Sequence, residues 1–178
     1  MRRYGPWTIK RSRTKFQNHF VTVTEDAVRQ PDGSDGTYAT VALNPGVAIL
    51  AINDAGQVCL TRQFRYAIGR ESIEVVSGAI DEGEEPLDAA KRELCEEVGL
   101  TAAEWSDVGT IDVDTSILRC PVRLFVARKL TPTSDDPDPA ERIERLTVAF
   151  DAAVQMALNG AITHSPSCVL LLKAKLVG

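Results

Sequence analysis

The sequence predicts an α+β fold: a mixed β-sheet sandwiched between α-helices, with an N-terminal arm of β-strands. Three observations lead to it. Apolar runs of strand length alternate with turn signals through the first half of the chain, one amphipathic helix is bracketed by a proline and a glycine, and two further helices follow near the end. With 178 residues, 44% hydrophobic and 25% charged, the chain has ordinary globular composition and enough apolar material for a sizeable core.

The elements follow in order. Residues 1–40 read as an extended arm: Phe20 to Thr24 alternates apolar and polar residues, and Pro31-Asp32-Gly33-Ser34-Asp35-Gly36 is a turn leading into a strand over Thr37 to Leu43. Residues 41–178 form the main domain. Gly46 to Ile52, the turn Asn53-Asp54-Ala55-Gly56, and Gln57 to Phe64 read as strand, turn, strand, and Ser72 to Val76 is another strand. A helix follows, with Glu84 and Glu85 as negative charge at its amino end, Pro86 at its first position and Gly99 as its stop. Strands are expected near Trp105 to Val113 and Val122 to Ala127. Lys129 to Arg142 carries Pro132, Asp135, Asp136, Pro137, Asp138 and Pro139, too many breakers for regular structure, and reads as an acidic loop. Asp151 is placed as the cap of a helix to Leu158 that stops at Asn159-Gly160, and Ser165-Pro166 starts the last helix, to about Leu176. There is no internal repeat.

Composition excludes several classes of function. A net charge of -5 argues against a nucleic-acid binder, which needs a basic face. No apolar run approaches about 18 residues, so no membrane partner is expected. The start, Met-Arg-Arg-Tyr-Gly-Pro-Trp, lacks an apolar signal segment, and the expected location is cytoplasmic. Cys59, Cys95, Cys120 and Cys168 show neither zinc spacing nor a dense disulfide framework, and are expected as reduced thiols.

The chemistry concentrates on the helix after Pro86. At about 100° per residue, Leu87, Ala90, Leu94 and Val98 fall on one stripe, while Glu93, Glu96 and Glu97 cluster in a neighbouring arc with Ala89. Like charges three and four apart cost roughly 0.2–0.5 kcal/mol per pair. No Lys or Arg lies at the helical spacing that would pair off Glu93 and Glu97. Adjacent carboxylates on a rigid element do make a half-shell for a hard divalent cation, which removes the repulsion.

Gly78, five residues, Glu84, seven residues, Arg92-Glu93-Leu94, one residue, Glu96-Glu97, one residue, Gly99-Leu100 resembles the complete Nudix box, with no position departing from it. The resemblance implies the Nudix fold and a hydrolase that cleaves a phosphoanhydride in a nucleoside diphosphate linked to another group, using Mg²⁺ or Mn²⁺ and water. It implies Glu93 and Glu97 as metal ligands, Glu96 as a further or water-mediated ligand, and the Ser77 carbonyl completing the shell. Arg92 and Glu84 are implied to orient loop and helix by pairing with each other and with neighbouring carboxylates.

Outside the box, Arg62-Gln63-Phe64-Arg65 before Glu71 to Gly78, and Gly160-Ala161-Ile162 with the helix after it, are similar to the pattern of ADP-ribose pyrophosphatases. By that analogy Arg65 contacts a substrate phosphate and Glu74 shapes the site; the alternative for both is a plain surface salt bridge. Trp7 is either a stacking platform for the nucleotide base or an anchor of the arm. Glu141 occupies the place of the family's late glutamate, which acts as ligand or general base, with Glu144 in reserve. His19 and His164 read as structural, although His164 stands at a helix entrance where a phosphate could be met.

Two departures from the subfamily widen the substrate class. The box is entered by Val76-Ser77-Gly78 rather than Pro-Ala-Gly, and Asp114-Thr115-Ser116-Ile117 lacks a later proline. The resemblance therefore implies a nucleoside diphosphate sugar substrate, with base and sugar open. Two alternatives stand beside it: a nucleotide-sugar sensor without turnover, and a Nudix hydrolase of nucleoside triphosphates, dinucleoside polyphosphates or capped RNA. Arms of this kind also imply a homodimer.

Overall fold

The computed structural model describes residues 1–133 and 142–177. In chain order they form strands β1 (Arg2–Tyr4), β2 (Trp7–Gln17), β3 (Val21–Arg29), β4 (Asp35–Leu43), β5 (Gly46–Ile52), β6 (Gln57–Arg65) and β7 (Arg70–Ala79), and then helix α1 (Pro86–Val98). Strands β8 (Leu100–Asp112), β9 (Leu118–Arg119), β10 (Pro121–Pro132) and β11 (Glu144–Ala149) follow, and helices α2 (Phe150–Leu158) and α3 (Ser165–Val177) close the chain. They fall into two units: residues 1–44 with 112–120, and residues 45–111 with 121–178.

The larger unit is built on a mixed sheet ordered β11-β6-β7-β5-β10-β8, in which β5 runs parallel to β10 and antiparallel to β7. Its four central strands, β6, β7, β5 and β10, bury apolar residues on both faces, as a sheet covered on both sides requires. On β5, Val47, Ile49 and Ala51 join Val76 and Phe125 against Ala89, Ala90, Leu94 and Val98 of α1. Ala48, Leu50 and Ile52 point the other way, packing with Leu60, Val75 and Leu124 against Ala153 and Val154 of α2, Ile162, and Leu170 and Leu171 of α3. This is the sheet between helices that the alternation predicts. Leu94 is fully buried, and shortening such a side chain to Ala costs about 2–5 kcal/mol.

The sheet is split at its centre. Pairing of β5 with β7 ends at Ile49 opposite Val76, and β5 then reaches β6 at Ala51 opposite Cys59. Just past the split, Val75 donates its N–H to the Ser167 hydroxyl of α3, at 2.9 Å, instead of to a strand.

The smaller unit is a five-stranded sheet ordered β1-β2-β3-β4-β9, antiparallel except where β9 lies parallel to β4. The expected turn at residues 31–36 closes the β3–β4 hairpin through Gln30 N–H to Ser34 O and Asp32 Oδ1 accepting from Ser34. The unit draws on a middle segment of the chain as well as the arm, because Val41 donates to Ile117 O and Tyr38 Oη to Ser116 O.

Several boundaries differ from those expected. Strand β3 runs on to Arg29, and β10 continues through Lys129 to Pro132, so the breaker-rich segment begins later. Strand β11 was not expected at all; it adds to the edge of β6 and sends Leu146 and Val148 onto the core. It leads straight into α2, whose cap is Ala149 rather than Asp151, because Phe150 already carries the first helical turn while its N–H reaches Gly56 O. Asp151 lies inside that turn and accepts from Lys175. Ala89, placed among the exposed acids by its angle, is fully buried because that arc packs on β7. No described helix is long and apolar enough to cross a membrane, and no disulfide joins Cys59, Cys120 or Cys168.

Candidate active site

Helix α1 starts at Pro86 and ends at Gly99, whose left-handed conformation (φ 60°, ψ 40°) lets its N–H cap the Cys95 and Leu94 carbonyls. Between these stops the acidic arc faces the end of β7. Glu97 Oε2 accepts the Ser77 N–H at 3.2 Å. Glu93 lies over Gly78 so closely that a Cβ on that glycine would sit 2.0 Å from the carboxyl carbon. Only glycine admits the carboxylate there.

Arg92 ties the loop before the helix to this arc. Its Nε and Nη2 donate to the two oxygens of Glu84, each at 3.0 Å, and Nη1 donates to Glu93 at 2.7 Å and Glu96 at 3.0 Å. Nη2 also reaches the Ala79 carbonyl. The bond from Arg92 holds Glu84 below the usual carboxylate range against some desolvation, and Glu84, ahead of Glu93 and Glu96, raises the guanidinium further. Glu96 is the more open ligand candidate, its side chain 42% exposed against 13% for Glu93. Under the arc, burial pushes the Cys59 thiol up to about 11, with Arg145 pulling down and Glu97 adding to the rise.

A second constellation stands in the first half of β7, at Glu74. Arg65, the last residue of β6, grips Glu74 with two bonds, Nε to Oε1 at 3.0 Å and Nη2 to Oε2 at 2.6 Å. Glu74 is buried, and its Oε2 also lies 3.5 Å from Nδ1 of His164, which is 2.8 Å from Ser167 Oγ. Burial raises the Glu74 pKa, but Arg65, His164 and Ser72 outweigh it and the net shift is downward. Burial lowers that of His164, opposed by Glu74 and aided by Arg65.

Residues 42–166 match the family profile of the NUDIX domain. The chain belongs to the Nudix family. It is a Nudix hydrolase, an enzyme of the pyrophosphohydrolase class. Residues 7–41 match the nucleoside diphosphate sugar hydrolase N-terminal domain. An ADP-ribose pyrophosphatase of Mycobacterium tuberculosis is 34% identical over 158 residues, 86% of this chain and 76% of that protein. One from Bacillus subtilis is 27% identical over 143 residues, 79% and 77% respectively. A crystal structure titled as an ADP compounds hydrolase shares the fold, with a TM-score of 0.85, 22% identity, and coverage of 99% of this chain and 96% of that one.

Nudix hydrolases generally use divalent metal ions, and the α1 arc of this one fits such an ion. The donors are all oxygen, four carboxylates stand against one guanidinium, and the room taken by Glu93 exists because Gly78 has no Cβ. Among the described residues no three acidic, His or Cys side chains already converge at coordination distance, since Arg92 holds Glu93 and Glu96.

Glu141 lies outside the described residues. Glu144 begins β11 opposite Arg62, whose Nη1 donates to it at 3.0 Å. Trp7, in the smaller unit, is half-buried edge-on to Tyr38 with centroids 5.5 Å apart, and the two line a cavity of about 400 Å³ with Tyr4 and Asp26. His164 was read as structural; nothing near it in sequence announces Glu74, ninety positions earlier.

Proposed function

We propose that this Nudix hydrolase cleaves the pyrophosphate of a nucleoside diphosphate sugar of the ADP-ribose class, giving a nucleoside monophosphate and a sugar phosphate. One observation carries the reading: Glu93 and Glu97 both converge on Ser77-Gly78 at the end of β7. The N-terminal match and the names of the two relatives support the substrate class.

Glu93, Glu97, Glu96 and the Ser77 carbonyl would hold Mg²⁺, with Mn²⁺ as a substitute. Such an ion, when bound, neutralises diphosphate oxygens and makes water a better nucleophile. Arg65 binds a substrate phosphate with the guanidinium that Glu74 orients. Arg92 and Glu84 act beneath the ligands, locking the 80–85 loop onto α1 so that the carboxylates are preorganised. Glu141 takes the proton of the attacking water. Glu144 is second in line because Arg62 already engages it.

Residues 1–40 serve as the arm and 41–178 as the hydrolase domain, and the arm joins two copies in a homodimer. Exposed Tyr4, Phe16 and Phe20 in the smaller unit support that assembly. Light scattering tests it, and a monomer refutes it. Trp7 supplies a flat face for the base.

The test of function is release of monophosphate from ADP-ribose, other nucleotide sugars, nucleoside triphosphates and dinucleoside polyphosphates, each with and without Mg²⁺. Metal-dependent turnover confined to nucleotide sugars is expected. Preference for triphosphates would move the substrate class, and binding without turnover would make the protein a sensor.

A further inference from the structure

We propose that His164, held by Ser167, is a positioning residue for substrate binding: it fixes the Glu74 carboxylate so that Arg65 presents its guanidinium in one orientation. The inference rests on the reading that Arg65 binds the substrate phosphate.

Strands β5 and β7 part after Ile49 and Val76. The Val75 N–H has no strand partner there and is taken by Ser167 Oγ, a fully buried hydroxyl near the start of α3. Unpaired, that N–H would be costly, so Ser167 is pinned. His164 is pinned in turn, because its carbonyl accepts the Cys168 N–H and its Nδ1 lies 2.8 Å from Ser167 Oγ. The preceding residue, Thr163, accepts from Arg70 at the start of β7, and Ile162 is buried with its N–H on Met156 O. The imidazole therefore has little freedom, and its Nδ1 meets Glu74 Oε2, the oxygen that Arg65 Nη2 also uses.

The chemistry selects the tautomer. A carboxylate oxygen 3.5 Å from Nδ1 repels a lone pair and attracts a proton, so Nδ1 carries the hydrogen and Ser167 accepts it with its second lone pair. Arg65 thus holds the carboxylate with two hydrogen bonds, while the N–H edge of His164 faces its Oε2 at 3.5 Å. Loss of His164 removes the neighbour that fixes the pair from the α3 side and leaves Glu74 to Ser72 and to Arg65, whose side chain is 36% exposed, so that carboxylate and guanidinium can shift together. The trio is not a hydrolytic triad. A triad needs the serine and the carboxylate on opposite imidazole nitrogens, whereas both face Nδ1 here and Ser167 is closed to solvent.

The experiment is steady-state hydrolysis of ADP-ribose with Mg²⁺ by His164→Ala, His164→Asn and His164→Gln, alone and in an Arg65→Ala background. The amide of Asn reproduces a donor at the Nδ1 position; that of Gln reaches toward Nε2. Expected are a rise in KM of about five- to tenfold with kcat within twofold for Ala, recovery by Asn but not Gln, and less than a twofold further change once Arg65 is absent. Should the Ala variant fail to fold, the contrast between Asn and Gln decides alone. An unmoved KM, equal behaviour of Asn and Gln, or an undiminished effect without Arg65 would overturn the inference. Failure of the unmodified enzyme on every nucleotide sugar would instead remove the functional reading, and this inference with it.

Discussion

Two arginines of the larger unit hold glutamates beside β7, and they do so in opposite proportion. Arg92 pairs with Glu84, Glu93 and Glu96 and stands 4.0 Å from Asp81, with Glu97 alongside on Ser77, whereas Arg65 closes a bidentate pair with the buried Glu74. Under the proposed function, the excess of acid is where a cation would be held, and the bidentate, buried pair would orient the guanidinium that meets a substrate phosphate. The two clusters would then divide the labour along one strand.

The sharpest way to break the first cluster is Glu97→Gln, which keeps shape and removes one negative ligand. Turnover of ADP-ribose with Mg²⁺ should fall about 10³-fold with the thermal midpoint within a few degrees of wild type. Near wild-type turnover would take Glu97 out of the metal shell. Next comes Gly78→Ala, whose Cβ would stand 2.0 Å from the Glu93 carboxyl carbon. The carboxylate must then leave the end of β7, so turnover should drop about 10²-fold, at a stability cost of about 1–3 kcal/mol. A structure of the variant with Glu93 in place would refute that account.

Arg92→Ala sharpens the comparison, because the two clusters differ in what can replace their arginine. Without it Glu84, Glu93 and Glu96 repel one another, and the midpoint should fall by roughly 3–6 °C, about 1–2 kcal/mol for a chain of this size. Added Mg²⁺ should restore more of the midpoint in this variant than it adds to wild type, since the cation supplies the missing charge. Equal Mg²⁺ shifts in a thermal melt would mean that the acids bind no ion. The expected loss in turnover is about tenfold.

What could be foreseen, and what could not, follows the reach of the chemistry involved. Helix α1 was legible because its signals are local: Pro86 and Gly99 mark its ends, and Ala90, Leu94 and Val98 declare its buried side. Strands β5 and β6 were legible because a continuous apolar run with an Asn-Asp-Ala-Gly turn has few other uses. Strand β11 was missed although Leu146 and Val148 alternate with polar residues, because it is short and adjoins the breaker-rich segment. The box acids could be named in advance; their seating on Ser77 and Gly78 could not, being a tertiary fact about where β7 ends. The partnership of His164 with Glu74 was invisible for the same reason: a lone histidine carries no sign of a carboxylate brought to it by the sheet.

Acid should probe the second cluster with the smallest effect and the clearest sign. Burial, only partly offset by Glu74, holds His164 below its ordinary 6.5; burial raises Glu74, but Arg65 and His164 bring it below 4.5. The folded protein thus favours the deprotonated form of each group. Their contributions are complete above the unfolded pKa and disappear as pH falls, from about 6.5 downward for His164 and from about 4.5 downward for Glu74. Between pH 7.5 and 5.5 the wild-type midpoint should therefore fall further than that of His164→Asn, which has nothing to protonate in that window. Glu74→Gln should do the reverse: removing the anion beside the imidazole depresses His164 further, and the acid loss steepens. Parallel melting curves for the three proteins across this range would show that the imidazole does not feel the carboxylate, leaving Arg65 and Ser72 to orient Glu74.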